Sequence, residues 1–107
     1  MSNVTNLILS FSLSENEQEI LEELEKFSYN QNEFEIVSVN DDKLPNAWYG
    51  GTKNLETNLF IGAYNHFESE KFIDFLRKIS WKEMGEVQVI IKGQFDDRFR
   101  VENIFSI

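Results

Sequence analysis

The chain has no cysteine, one proline, one histidine and five glycines among its 107 residues. Without cysteine there is no disulfide, no thiolate nucleophile and no sulfur ligand for a metal. The redox compartment stays open, because a reducing cytosol merely permits such a composition. Basic side chains are also scarce: 10 Lys plus Arg stand against 19 Asp plus Glu, a formal net charge of −9. A balance of that sign argues against direct binding to nucleic acid or to an anionic membrane, since both need positive charge to displace counterions. Long apolar runs are missing too. No segment reaches the roughly 18 to 20 consecutive apolar residues that span a bilayer. Residues 1–14 lack the basic start and small-residue cleavage site of a signal peptide, so a cytoplasmic protein is expected.

What the chain does have is apolar volume. Hydrophobic residues make up 41% and include 10 Phe, 3 Tyr and 2 Trp, enough for a real core in one domain over 1–107. Leu7, Leu9, Phe11 and Leu13 alternate with polar residues and predict a strand. Ser14 with Glu17 has capping-box spacing, and a helix to about Ser28 would bury Ile20, Leu21, Leu24 and Phe27. After a polar link over 29–33, the run Phe34 to Val39 reads as a second strand, followed by a long connection over 40–54. Leu55 to Tyr64 reads as a third strand, with apolar residues on both faces, as in a central strand covered on both sides. Asn65 with Glu68 repeats the capping spacing before a helix that buries Phe72, Ile73, Leu76 and Ile79 and ends near Trp81, itself expected in the core. Strands over 87–95 and 98–104, joined by a turn at Asp96 and Asp97, complete an order βαββαββ. That order predicts an α+β fold: a ferredoxin-like split βαβ sandwich, its two helices on one face of an antiparallel sheet. A more curved α+β sheet would use the same elements.

Few residues point to chemistry. His66 stands where a strand passes into a helix, a place suited to a general base or a metal ligand. No serine or cysteine nucleophile motif accompanies it, and a loop or capping histidine explains it as well. Asp41 with Asp42, and Asp96 with Asp97, are acidic pairs, but aspartate is also an ordinary turn residue and no calcium-loop spacing surrounds them. Gly50, Gly51, Thr52 and Lys53 lack Walker spacing and precede a strand rather than a helix. No cofactor or metal is implied. Trp48 and Tyr49, adjacent in the long connection, suit either a partner-facing anchor or a plug over the end of the sheet.

The charge distribution is the strongest signal. Residues 1–42 hold ten acidic side chains and one basic one, Lys26, whereas residues 43–107 hold nine of each. The whole excess therefore lies in the first helix, the second strand and the start of the long connection. A solvated helix face accounts for any one glutamate, but a patch this one-sided would steer a basic protein toward it. The partner-facing residues expected on this reading are Glu15, Glu19, Glu22, Glu23, Asp41, Asp42, Trp48 and Tyr49.

The short cysteine-free α+β domain, the acidic helix, and the segment Gly62, Ala63, Tyr64, Asn65, His66 leading into a helix that ends Ile79, Ser80, Trp81 together resemble the small acidic immunity proteins of bacterial toxin–immunity systems, including contact-dependent inhibition and polymorphic toxins. The resemblance implies a non-enzymatic protein that neutralises a cognate toxin stoichiometrically, often a basic nuclease whose active site it occludes. Three other readings fit the same residues. One is an acidic decoy of a nucleic-acid-binding complex, as in a phage inhibitor. Another is a small-molecule-binding or regulatory domain that uses its sheet. The last is a small enzyme built on His66 and a carboxylate.

Overall fold

In the computed structural model, which describes residues 2–39, 43–45 and 55–105, the first strand β1 (Val4–Phe11) is the spine of the sheet. Its alternation puts Leu7, Leu9 and Phe11 into the core, each at most 1% exposed, and turns Ile8 and Ser10 to the other face. The remaining elements follow in the order α1 (Glu17–Leu24), β2 (Ser28–Tyr29), β3 (Asn32–Glu33), β4 (Val37–Ser38), β5 (Asn58–Asn65), α2 (Ser69–Arg77), β6 (Gln88–Gly93) and β7 (Arg100–Asn103). One short 3-10 turn, Met84–Glu86, precedes β6.

The protein is an α+β fold. Strands β4-β5-β1-β6-β7 form one antiparallel sheet, and β2 and β3 form a separate hairpin. Both helices contribute to the core that β1 faces: Ile20 and Leu24 from α1, and Phe72, Ile73 and Leu76 from α2. Rings fill much of it. Phe27 meets Phe34, Phe67, Phe72 and Phe75 at centroid distances of 5.2 to 6.0 Å, in tilted and edge-on geometries that the aromatic quadrupole favours. At the other end Phe11 packs edge-on against Phe60, and Trp81 lies in the core as expected, its Nε1 donating to the Leu76 carbonyl at 2.8 Å. No helix among the described residues is long and apolar enough to cross a membrane.

Several boundaries differ from the expectation, each for a local reason. The α1 cap is Asn16, not Ser14: its Oδ1 accepts from the Glu19 amide at 3.0 Å, and Ser14 instead shares a 3.0 Å hydrogen bond with Ser12. Asn and Ser are comparable N-caps, and their spacing to Glu19 and Glu17 is the same. Asn65 ends β5 rather than capping α2, and its Oδ1 accepts from the Asn3 amide at 2.8 Å. His66 follows in the left-handed region (φ 53°), and α2 begins at Ser69 after an N-cap Glu68 that makes no side-chain cap bond. Glu68 pairs with Lys71 at 2.7 Å, and that hydrogen bond holds its carboxyl below the usual range. The link over 29–33 is a two-residue hairpin turn, with Asn30 (φ 47°) and Gln31 (φ 64°) both left-handed as its twist requires. Of the strand expected over 34–39, only Val37–Ser38 pairs in the sheet.

The largest correction concerns β5. Phe60 and Tyr64 are buried, but Ile61 is exposed on the opposite face, as is Ala63. The strand is central, between β4 and β1, yet among the described residues it is covered on one side only.

Gly62 is needed by a close approach. The Tyr64 side chain leans back along β5 over Gly62, and its hydroxyl donates to the Glu35 carbonyl at 2.7 Å, tying the 34–36 segment to the sheet. A Cβ at Gly62 would overlap that hydroxyl. Burial, followed by the neighbouring Tyr29 and Glu35, pushes the Tyr64 phenol well above its ordinary pKa. An unfolded tyrosine ionises above about pH 10 while the folded one keeps its proton. The stability from this group is therefore complete below about pH 10 and is lost as pH rises, by up to ~1.4 kcal/mol per pH unit. Gly62→Ala is expected to cost about 1–3 kcal/mol in urea unfolding. Tyr64→Phe is expected to cost ~1 kcal/mol at pH 7 and to fall less steeply than the parent above pH 10. Equal alkaline slopes for parent and Tyr64→Phe would refute the assignment.

Candidate functional site

The acidic surface starts at α1, whose eight residues contain only two fully buried positions, Ile20 and Leu24. Its charge pattern opposes its own dipole at one end. Glu17 and Glu19 in the first turn interact favourably with the exposed amides, whereas the last turn has no basic residue and carries Glu22 and Glu23, followed by Glu25 at the C-cap. Like charges also recur at helical neighbour spacing, in Glu19 with Glu22 and Glu23, and in Glu22 with Glu25. Each such arrangement costs a few tenths of a kcal/mol or more. Burial of Ile20, Leu24 and Phe27 and the Asn16 cap hold the helix despite its charges.

Two grooves flank this helix. One, of about 360 Å³, lies between α1 and the end of α2 and is lined by Glu19, Glu22, Glu23 and the opposing Lys78. The other, of about 530 Å³, joins the C-terminal end of α1 to the extended segment before β4, and Glu25, Glu33 and Glu35 share its rim above Phe34 and Ile36. Lys26, the one basic residue before position 43, is paired with Glu23 at 2.9 Å. The arrangement is two groups of carboxylates, Glu19, Glu22 and Glu23 at one groove and Glu25, Glu33 and Glu35 at the other, each able to accept hydrogen bonds from Lys or Arg side chains.

The residues expected to face a partner divide three ways. Glu19, Glu22 and Glu23 lie together on this surface. Glu15 does not, because it is only 6% exposed. Its carboxylate accepts from the Lys82 amide at 2.8 Å and the Glu83 amide at 2.9 Å, fastening the start of α1 to the turn after α2. Asp41, Asp42, Trp48 and Tyr49 lie outside the described residues. Glu25, Glu33 and Glu35 join the surface without having been singled out as partner-facing. The alternation Glu33, Phe34, Glu35, Ile36 is the signal for two of them, since burying Phe34 and Ile36 turns the glutamates outward.

Elsewhere, His66 is exposed, and its carbonyl accepts from Asn30 Nδ2 at 2.6 Å. Asp96 locks the turn before β7, its Oδ2 accepting from the Gly93 amide at 2.8 Å. Among the described residues no group of three or more His, Asp or Glu side chains is placed to hold a metal ion. No protein-family model, curated protein or solved structure matches this chain.

Glu15 and its neighbours on α1 separate by function in a direct way. Glu15→Ala leaves the part-buried Lys82 and Glu83 amide bonds without their acceptor and is expected to cost about 1–2 kcal/mol in urea unfolding, where Glu19→Ala costs under ~1. Equal, small losses at both positions would contradict the internal role of Glu15.

Proposed function

We propose that this chain is a non-enzymatic, immunity-type inhibitor that neutralises a basic partner, such as a nuclease toxin, in the cytoplasm. It would do so through the carboxylates of α1 and of residues 33–35, with Asp41, Asp42, Trp48 and Tyr49 of the adjoining connection as further contacts. On the same reading the frame is a ferredoxin-like split βαβ sandwich extended by one strand. The order β4-β5-β1-β6, with a helix in each crossover, supports that frame.

One observation carries the functional reading. The last turn of α1 holds Glu22 and Glu23, with Glu25 at its cap, where helix stability favours Lys or Arg. Carboxylates held at a local electrostatic cost mark a surface kept for something other than folding. Clustered around two grooves, they offer a basic protein several acceptors in a pattern like a run of phosphates. Such a surface acts mainly on the rate and register of docking, and salt screens it.

The test takes as partner a basic protein encoded by a neighbouring gene and compares the parent chain with the double variant Glu22→Lys, Glu25→Lys. In stopped flow at low salt the double variant is expected to associate at least ~10-fold more slowly, with a shallower dependence on sodium chloride. Its own unfolding midpoint is expected to hold or rise, because the new charges suit the helix C-terminus. Association unchanged by either the substitutions or salt would sink the proposal.

A further inference from the structure

The sheet face turned away from the helices carries an unbroken apolar belt. Strand register sets Val37 beside Ile61, Ile61 beside Ile8, Ile8 beside Ile90, and Ile90 beside Val101, so one β-branched residue from each of the five strands stands in a single row. The row is open: Val37 is 61%, Ile61 41% and Val101 58% exposed, and Phe99 beside it is 48% exposed. An apolar groove of about 440 Å³ lies over the β4–β5–β1 part of the row, with Ile8, Val37, Ile61 and Phe99 in its lining. Among the described strand residues on this face, Lys92 is the one with a formal charge.

We infer that this belt is where a second copy of the chain packs, sheet face against sheet face, leaving the acidic helix surfaces free. Charge decides against a basic or an acidic partner here, since the face has almost no charge to match either. Shape and symmetry favour a copy of itself. The row reads Val, Ile, Ile, Ile, Val from either edge. A twofold axis lying in the interface, along the row or along β1, therefore stacks Val on Val and Ile on Ile. β-Branched side chains of equal height suit the aligned packing of two sheets about 10 Å apart. Net charge of −9 per chain would oppose association in most orientations. In this one, each α1 lies behind its own sheet. That puts the two acidic helices roughly 30 Å apart, about three screening lengths at 0.1 M salt. Strands of eight, eight, six, four and two residues at ~4.8 Å spacing give a face of roughly 450 Å² per copy. Two such faces bury about 900 Å², within the range of weak, transient interfaces.

Sedimentation velocity of the full chain between about 5 and 500 μM is expected to show a reversible monomer–dimer equilibrium. The Kd falls between ~1 and 100 μM, as for modest interfaces, and does not weaken when sodium chloride is raised. Ile61→Lys and Val101→Lys place a charge where the monomer is already open to water and are expected to weaken dimerisation at least ~30-fold. Val37→Thr, nearly isosteric, keeps the fold if either lysine variant fails to form it, and is expected to weaken the dimer several-fold. Glu22→Lys, on the far side of the sheet, leaves the Kd within about twofold. A monomer at 500 μM overturns the inference, whatever else covers the belt. A dimer insensitive to Ile61→Lys, Val101→Lys and Val37→Thr also overturns it, as does growth into open oligomers through the sheet edges.

Discussion

The structure depends on β1 being paired on both sides while, among the described residues, only one face of the sheet is covered. With β5 and β6 as neighbours, β1 has no freedom of register, because a one-residue slip would exchange Leu7, Leu9 and Phe11 for Ile8 and Ser10 in the core. Two short helices fill the covered side together with a cluster of phenylalanines, and β1, β5 and β6 are thereby divided into a core face and an open face. That division separates two chemistries. The helix side carries the carboxylates of α1, the open side carries the apolar row, and the two meet at Val37, which lines both the acidic and the apolar groove.

The acidic helix is tolerable because it is anchored from elsewhere. Ile20, Leu24 and Phe27 tie α1 into the ring cluster, and Glu15, buried, joins its start to the turn at Lys82 and Glu83. With these anchors in place, the exposed glutamates need not help the helix fold. Their place at its C-terminal end works against the helix dipole, and on the proposed function it serves docking. Tyr64 does the equivalent for the other half of the acidic surface, since its hydroxyl holds the Glu35 backbone over the edge of the sheet.

Much of this was legible in the sequence because it rests on periodicity. The alternation of β1 as far as Phe11, the apolar spacing of both helices, the burial of Trp81 and the exposed carboxylates of α1 and residues 33–35 carry through to the structure, whereas Leu13, expected with the first strand, lies beyond β1 and is exposed. What was not legible rests on competition between equivalent local signals. Ser14 and Asn16 offer the same cap three residues before a glutamate, and tertiary contacts choose Asn16. Asn65 has a capping spacing, but the strand takes it to hold the Asn3 amide. Glu15 looks like any other helix glutamate until the fold brings the 82–83 amides to it. Leu59, Ile61 and Ala63 alternate with Phe60 and Tyr64 as in a fully covered strand. Sequence alone does not distinguish apolar residues meant for a core from those left on an open face.

The claim that joins these observations is that the two faces of the sheet have different partners. It is tested most directly by amide spectra of the isotope-labelled chain, recorded over a range of protein concentration and then with the basic partner added. Residues 8, 61, 90 and 101 are expected to shift with protein concentration alone, and the partner is then expected to move residues 19–25 and 33–35. A partner that moves the belt residues and leaves α1 unchanged would contradict it.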